Sequence, residues 1–257
     1  MKIARYEIDG KIGYGRLDDN GTIHAFKGLP FETSELTGQT QQIGDVRLLA
    51  PVELPRIIGV GLNYVSHIKE SKAKEPSFPM LFMKHGSAVI GPDQPIIYPR
   101  QGKNVHFEGE LAAIMGKPAR RVPEKEALDY VFGYTCANDV SERIIQRAEM
   151  DMGCLLIGKS FDTFCPLGPM ITTGIDPTDL DLLTRVTGKI RQQINTSDLL
   201  FSVAELVSYI SDAFTLLPGD VIITGTPSGV GAVEPGDIIE IEISGIGVLK
   251  NTVEAED

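Results

Sequence analysis

The chain consists mainly of short apolar segments that have strand character and are separated by turns, and this pattern most constrains its fold. From about residue 51 onward the segments are PMLFMKH, QPIIYP, NVHFEGELAAIMG, GDVIITG, GDIIEIEIS and GVLKNTVE. Few helical patterns lie between them, so the regular alternation of strand and helix that marks a doubly wound sheet is absent. We therefore predict an α+β, β-rich fold, with residues 51–257 as the main domain.

The first 50 residues form a separate pattern of short strands, KIARYEI, KIGYGRL and TIHAF. Asp9-Gly10 separates the first two, and Asp18-Asp19-Asn20-Gly21 separates the second from the third. Both turns are typical of β-hairpins. The next segment, LLAPVELPRIIGVGLNY, is punctuated by prolines. We predict a small N-terminal β-rich segment over residues 1–50 and a boundary near Pro51.

Three segments have a helical pattern, residues 125–132, about 141–150, and 203 to about 214. The third is the clearest, because Ser202 and Glu205 match a capping box and apolar residues recur behind them at helical spacing. We expect its apolar face to pack on the sheet, which is a structural role.

Composition limits the possible partners and the compartment. The 257 residues carry a net charge of -11, so the chain lacks the basic surface that binds a phosphate backbone, and no nucleic-acid partner is expected. No apolar run approaches the roughly 18 residues of a membrane span, and the start lacks a signal-peptide core. We predict a cytoplasmic protein. Cys136, Cys154 and Cys165 form no CxxC pair and are odd in number, which indicates reduced thiols.

Two glutamates interrupt the apolar segment VHFEGELAAIMG. Residues two apart on a strand share a face, which places the Glu108 and Glu110 side chains roughly 6 to 7 Å apart. Their apolar neighbours indicate burial, where an unpaired carboxylate is costly or takes up a proton. A divalent cation would resolve both problems. The alternative is a half-exposed strand whose glutamates face water.

Asp139, in FGYTCANDVSER, is the candidate for a third carboxylate ligand. It follows a short strand and precedes a helix, so a helix-capping aspartate is the alternative interpretation. Three carboxylates would suit octahedral Mg²⁺ or Mn²⁺ and leave coordination positions for water or substrate. Ligation by oxygen alone disfavours zinc, copper and iron-sulfur clusters.

His67 and Glu70 form an H-x-x-E pattern in GLNYVSHIKE. With Asn63 or Ser66 as a helix cap, residues three apart lie on one helical face, where the carboxylate can orient the imidazole as a general base. The alternative is an exposed helix with a weak His-Glu pair. The following SKAKEPSF is polar and ends in proline, and residues 64–80 are predicted to form a mobile lid.

The segment GCLLIGKS, residues 153–160, matches the P-loop pattern G-x-x-x-x-G-K-S/T. A P-loop must follow a buried strand and open a helix whose N-terminus holds the phosphates. Here a polar helical segment precedes the match, and Pro166 and Pro169 follow it. This context disfavours nucleotide binding, which stays the alternative function from another class.

Seven blocks in order, from about residue 55 to residue 253, resemble the fumarylacetoacetate hydrolase family. The blocks are IIGVGLNYVSHIKE, FEGELAAIMG, FGYTCANDVSER, GKSFDTFCPLGP, QQINTSDLLFSVAEL, LPGDVIITGTPSGVG and EPGDIIEIEISGIG. The resemblance implies a mixed β-roll of the family's C-terminal-domain type with a few flanking helices. It also implies a homodimer and a Mg²⁺ or Mn²⁺ ion held by Glu108, Glu110 and Asp139.

The resemblance further implies the roles of other residues. His67 and Glu70 would order on ligand binding and act on a water, and Lys159 would reach the substrate. The implied substrate-binding residues are Tyr64, Arg143, Gln146, Lys159 and Thr226. The chain departs from the family pattern at Ile144, where the family usually carries Asp after the arginine.

The family's ligands are small 2-oxo acids, and three reactions suit such a site. The leading hypothesis is hydrolysis of a C-C bond in an acylpyruvate, such as fumarylpyruvate or acetylpyruvate, through an enolate that the cation stabilises. Oxaloacetate decarboxylation and keto-enol tautomerisation or double-bond isomerisation are the alternatives. A metal-binding relative without activity is disfavoured because His67, Glu70 and Lys159 are all present.

Overall fold

The computed structural model describes residues 1–257, which form twenty β-strands and five α-helices. The first ten strands are β1 Lys2–Ile8, β2 Lys11–Leu17, β3 Thr22–Phe26, β4 Leu36–Gln42, β5 Arg47–Leu48, β6 Ile57–Gly61, β7 Met80–Lys84, β8 Val89–Ile90, β9 Ile96–Tyr98 and β10 Val105–Phe107. The others are β11 Gly109–Met115, β12 Val131–Asn138, β13 Ser141–Glu142, β14 Cys165–Thr172, β15 Asp181–Val186, β16 Lys189–Asn195, β17 Val221–Ile223, β18 Gly231–Ala232, β19 Ile238–Ile243 and β20 Gly247–Ala255. The helices are α1 Val65–Ser71, α2 Glu124–Ala127, α3 Arg143–Asp151, α4 Ile157–Ser160 and α5 Val203–Ala213. None of them has the length and apolar character that a membrane crossing requires.

Most strands join one large sheet, in the order β4-β3-β2-β1-β14-β12-β11-β17-β6-β7. Its pairs are mainly antiparallel, but β17 and β6 run parallel. A five-stranded sheet, β16-β15-β19-β20-β9, and a small sheet, β13-β10-β18, complete the architecture. A cluster of 45 buried apolar residues connects these layers. The predicted β-rich α+β fold with mixed strands and few helices is confirmed.

The N-terminal segment extends the large sheet. Its first turn has Asp9 and Gly10 at φ 49° and 72°, the left-handed conformations of a tight hairpin turn, as the Asp-Gly pair predicts. Strand β1 pairs with β14 through Lys2 opposite Thr172 and Ile3 opposite Ile171. The segment therefore contributes strands to the same sheet that carries the acidic residues.

The predicted continuous strand over residues 105–116 is wrong, because it divides at Glu108 into β10 and β11. Strand β10 pairs with β13 and β18, whereas β11 pairs with β12 and β17 in the large sheet. At Gly109 the chain passes very close to the five-stranded sheet, since a Cβ there would lie 2.2 Å from Thr184 Oγ1. Tertiary pairing with two different sheets thus overrides the local strand pattern.

The three predicted helices exist with shifted bounds. The first is shorter than residues 125–132, because the chain enters β12 at Val131 and pairs with β11. The second begins at Arg143, since Ser141 and Glu142 form β13. The third is confirmed with its capping box, in which Ser202 and Glu205 exchange hydrogen bonds with each other's backbone.

Candidate active site

Three buried carboxylates meet where β10 ends and β11 begins. Pairing of β11 with β12 sets Gly109 opposite Asn138. The Asp139 N–H then donates to the Glu108 carbonyl at 2.9 Å. As a result, carboxylate oxygens of Glu108, Glu110 and Asp139 lie within 4.8 Å of one another. The structure thus brings together the three residues that the sequence identified as candidate ligands.

Two lysines and an arginine surround these carboxylates. Lys159 Nζ donates to Glu108 Oε2 at 2.9 Å and to Asp139 Oδ2 at 2.5 Å. Arg143 forms an ion pair with Glu108 on the other side. Lys84, at the end of β7, donates to Asp139 Oδ1 at 2.5 Å, and its side chain is fully buried. The sequence interpretation missed Lys84, although a lone lysine inside the apolar segment PMLFMKH was a usable signal.

The carboxylates differ in their charge environment. Burial raises the pKa of Glu108, but the charges of Arg143 and Lys159 outweigh burial and hold the pKa well below its usual range. The pKa of Glu110 is raised well above its usual value by burial, and then by the charges of Asp139 and Glu108. Burial lowers the pKa of Lys159, but the same two carboxylates outweigh it, so its pKa is raised and the ammonium stays protonated.

Within the cluster, Glu110 is the carboxylate whose negative charge has the least compensation from neighbouring groups. It is 1% exposed and accepts one hydrogen bond, from the Gly225 N–H at 2.6 Å. No lysine or arginine forms an ion pair with it. Three clustered carboxylates, one of them without a cationic partner, are the donor set of an oxygen-ligated divalent cation. The residues present therefore fit such a cation, and Glu108, Glu110 and Asp139 could hold it.

A cavity of about 260 Å³ opens onto the acidic cluster. One part of its wall is polar and consists of predicted site residues, namely His67, Glu108, Glu110, Asp139, Arg143, Gln146, Lys159 and Thr226. The other part is apolar and includes Leu62, Met80, Leu81, Phe82, Met150 and Leu155. The cavity is thus shaped for a ligand that combines an anionic end with an apolar end.

His67 and Glu70 contact each other as the H-x-x-E spacing predicts. His67 Nδ1 lies 3.3 Å from Glu70 Oε2, on the helix α1. The Glu70 carboxylate also accepts the Gly229 N–H, with its two oxygens at 3.2 and 3.3 Å. His67 lines the cavity, whereas Glu70 does not. Glu70 therefore links the Nδ1 side of the imidazole to the backbone at Gly229.

The predicted helix cap at Asn63 or Ser66 is wrong. Tyr64 occupies the cap position without a side-chain hydrogen bond, and the Ser66 N–H donates instead to Asp198, from a distant part of the chain. Asn63 is fully buried and holds the carbonyls of Thr224 and Phe201. The cap comes from a tertiary contact, which local sequence cannot indicate.

Tyr64, a predicted substrate-binding residue, does not line the cavity. Its side chain is fully buried, and its hydroxyl has no hydrogen-bond partner. Burial, followed by the charge of Glu110, raises its pKa far above the usual value. The structure therefore places Tyr64 beneath the site rather than on its surface.

The segment that matches a P-loop supplies Lys159, but its backbone N–H groups are not free to bind a phosphate. The N–H groups of Leu156, Ile157 and Gly158 donate to the carboxylate of Glu149, at 3.1, 2.7 and 3.0 Å. This carboxylate occupies the position that a phosphate would need, and Lys159 extends to the acidic cluster instead. Glu149, which the sequence interpretation also missed, holds the short helix α4 that carries Lys159.

Arg143 and Gln146 lie one helical turn apart on α3. Arg143 Nη1 donates to Gln146 Oε1 at 2.8 Å, and both side chains face the cavity. Ile144, the departure from the family pattern, is 53% exposed and does not line the cavity. The substitution therefore alters the outer face of α3 and leaves the cavity wall unchanged.

Comparison with protein families gives two matches. Residues 56–254 match the family described as fumarylacetoacetate (FAA) hydrolase C-terminal. Residues 1–51 match a family described as Rv2993c-like, N-terminal. The mitochondrial oxaloacetate tautomerase fahd2 of Xenopus laevis is 40% identical over 220 residues, which cover 81% of this chain and 69% of that protein.

Two solved structures share the fold. A 5-carboxymethyl-2-hydroxymuconate delta-isomerase from Mycobacterium smegmatis is 41% identical, with a TM-score of 0.93 over 100% of both chains. A fumarylpyruvate hydrolase from Pseudomonas aeruginosa, solved with Mn²⁺ and pyruvate, is 36% identical, with a TM-score of 0.76 over 82% of this chain and 92% of that one. With a family match over most of its length, a shared fold and the acidic triad in place, the chain belongs to the fumarylacetoacetate hydrolase family.

Proposed function

We propose that the protein is a Mg²⁺- or Mn²⁺-dependent hydrolase that cleaves a C-C bond in a small 2,4-dioxo acid of the acylpyruvate class. The observation that carries this proposal is that His67, in contact with Glu70, lines the cavity that also holds Lys159 and the acidic cluster. Hydrolysis needs a base that activates a water, whereas loss of carbon dioxide from oxaloacetate needs none. The base therefore favours hydrolysis over decarboxylation at this site.

The pair sets the tautomer that a general base requires. Because His67 Nδ1 faces the Glu70 carboxylate, the N–H of a neutral ring lies on that side and the lone pair is on Nε2. Nε2 can then take a proton from a water that attacks the distal carbonyl of the substrate. Glu70 stabilises the imidazolium that forms, and the Gly229 N–H keeps the carboxylate in place.

Arg143 and the acidic cluster, in the same polar part of the cavity, bind the 2-oxo acid end of the substrate. Arg143 presents a guanidinium that can form paired hydrogen bonds with the substrate carboxylate. When a divalent cation is bound at Glu108, Glu110 and Asp139, it supplies a Lewis acid next to the 2-oxo group.

Bond cleavage follows from these positions. The attacking oxygen stays on the distal carbon, the bond between C3 and C4 breaks, and its electron pair passes to the pyruvate half as an enolate. The ammonium of Lys159 stabilises the negative charge that develops there. The imidazolium of His67 gives the proton that it took from the water to C3, which completes pyruvate and restores the base, and the distal half leaves as a carboxylic acid.

Two substitutions test the proposal separately. Glu108→Gln should abolish the Mg²⁺ binding seen by calorimetric titration, and unchanged binding would remove the cation site. His67→Ala should abolish acetylpyruvate hydrolysis and spare oxaloacetate decarboxylation, with His85→Ala, an exposed histidine outside the cavity, as the matched control. Equal loss of both activities in His67→Ala would contradict the role of His67 as the base for hydrolysis.

A second candidate is keto-enol tautomerisation of oxaloacetate, or isomerisation of a related unsaturated diacid. The relative named oxaloacetate tautomerase and the isomerase of known structure favour it. Both reactions need only a proton shuttle, which His67 can provide. Loss of the enol absorbance of oxaloacetate without formation of pyruvate or an acid product would support this candidate over hydrolysis.

We also propose that the protein is a homodimer. Strand β7 forms an edge of the large sheet and exposes apolar side chains, with Met80 at 41% and Met83 at 47% exposure. Phe78, just before this strand, is 59% exposed. A second copy of the chain would cover this edge, which is otherwise a liability for aggregation. Light scattering should give twice the chain mass of 27.9 kDa, and a monomer at micromolar concentration would refute the proposal.

A further inference from the structure

We propose that Gln192, on β16, is a positioning residue that joins the cation site to the loop of residues 225–231 and, through that loop, to the base pair at His67. The inference rests on the proposed function, because it concerns the residues that would hold the cation. It differs from that proposal in assigning a role to a side chain that touches neither the cavity nor the acidic carboxylates.

Gln192 is 1% exposed, and both the oxygen and the nitrogen of its amide group form hydrogen bonds. Its Oε1 accepts the N–H of Gly109, the residue between the two glutamates, at 3.0 Å. Its Nε2 donates to Thr226 Oγ1 at 2.8 Å and to the Pro227 carbonyl at 3.0 Å. The Thr226 hydroxyl in turn donates to the Gly109 carbonyl at 3.0 Å. The N–H of Gly109 is thus bonded to Gln192, and its carbonyl is bonded to Thr226, which Gln192 also holds.

The loop that Gln192 holds supports two functional carboxylates through its backbone. At one end the Gly225 N–H donates to Glu110 at 2.6 Å. At the other end the Gly229 N–H donates to Glu70, the partner of His67. Thr226 and Pro227, which Gln192 binds, lie between these two donors in the chain. Gln192 therefore sets the positions of the Gly225 and Gly229 N–H groups. A single buried amide therefore relates the geometry of the cation site to that of the base.

Close packing makes this arrangement rigid. Gly229 has a φ of 96°, and a Cβ there would lie 2.0 Å from the carbonyl oxygen of Arg191. Arg191 directly precedes Gln192 in the chain. The loop thus rests directly on β16, with no room for a side chain between them. Any shift of β16 relative to the loop would change the hydrogen bonds to Glu110 and Glu70 together.

The experiment replaces Gln192 by an apolar side chain of similar shape and measures Mn²⁺ binding by calorimetry. Gln192→Met should weaken Mn²⁺ binding by about 10- to 100-fold, the range found when partners behind metal ligands are removed. It should also lower kcat for acetylpyruvate at saturating Mn²⁺, since the support of Glu70 is lost as well. Gln193→Met is the matched control, because Gln193 is the next residue on the same strand and its side chain is exposed. The control should keep both values.

A second variant covers the case in which Gln192→Met does not fold. Thr226→Val keeps the shape of the side chain and removes the hydroxyl that links Gln192 to Gly109. It should weaken Mn²⁺ binding in the same direction, with a circular dichroism spectrum like that of the wild type. Wild-type Mn²⁺ affinity in Thr226→Val, or in a folded Gln192→Met, would overturn the positioning role while the wild type still binds Mn²⁺. Absence of Mn²⁺ binding by the wild type would instead overturn the proposed function and the inference together.

Discussion

Lys84 offers a test of the charge balance at the site that needs no substrate. Its side chain is fully buried, and its ammonium contacts Asp139 Oδ1 at 2.5 Å and the Val140 carbonyl at 3.0 Å. Breaking a buried ion pair by removing one partner costs about 3 to 5 kcal/mol. Lys159 still contacts the other oxygen of Asp139 in the variant, so we expect Lys84→Met to cost about 3 kcal/mol, at the lower end of that range.

Urea denaturation of the EDTA-treated protein measures this loss. For a chain of this size, a change of about 3 kcal/mol also lowers the melting temperature by about 6 to 12 °C. Lys125→Met is the matched control, since that side chain is 81% exposed and its contact with Glu126 is a surface pair. The control should change stability by no more than about 0.5 kcal/mol. A Lys84→Met variant as stable as the control would refute the claim that Lys84 compensates the buried charge of Asp139.

Three further predictions concern other parts of the site and the core. Glu149→Gln should destabilise the protein by about 1.5 to 3 kcal/mol in urea, because the amide keeps one acceptor oxygen for three backbone N–H groups and lacks the charge that strengthens these hydrogen bonds; unchanged stability would contradict the assigned role. A thiol reagent at neutral pH should modify only the exposed Cys154, since burial raises the pKa of Cys136 and Cys165 to about 12, whereas rapid modification of two or three thiols would contradict that burial. Met150→Arg, on the apolar side of the cavity, should raise kcat/KM for fumarylpyruvate relative to acetylpyruvate; an unchanged ratio would show that Met150 does not face the distal group.

The sequence identifies the candidate ligands but not what compensates them. Glu108 and Glu110 stand out because carboxylates in apolar surroundings need a partner, and that argument needs only local sequence. Local sequence leaves Asp139 as either a ligand or a helix cap, and the family resemblance indicates the ligand. Lys84 and Gln192 come from strands that reach the site through long-range pairing. Nothing in their local sequence indicates which residue they contact, so only the fold reveals their role.

Tertiary contacts also explain the errors in local structure. The segment around Glu108 has a continuous strand pattern, yet it divides because its two halves pair with different sheets. The cap of α1 comes from Asp198 and not from Asn63 or Ser66, because the chain near residue 198 folds back onto the helix. The capping box at Ser202 and Glu205, which involves neighbours in sequence, is predicted correctly.

We propose above that this cavity hydrolyses a C-C bond with the help of a divalent cation and His67. The most direct test is product analysis by proton NMR, after the purified protein is incubated with acetylpyruvate in the presence of Mn²⁺ or of EDTA. We expect acetate and pyruvate in equal amounts with Mn²⁺ and neither product with EDTA. Intact acetylpyruvate in the Mn²⁺ sample, or a change in its keto-enol ratio without cleavage, would contradict it.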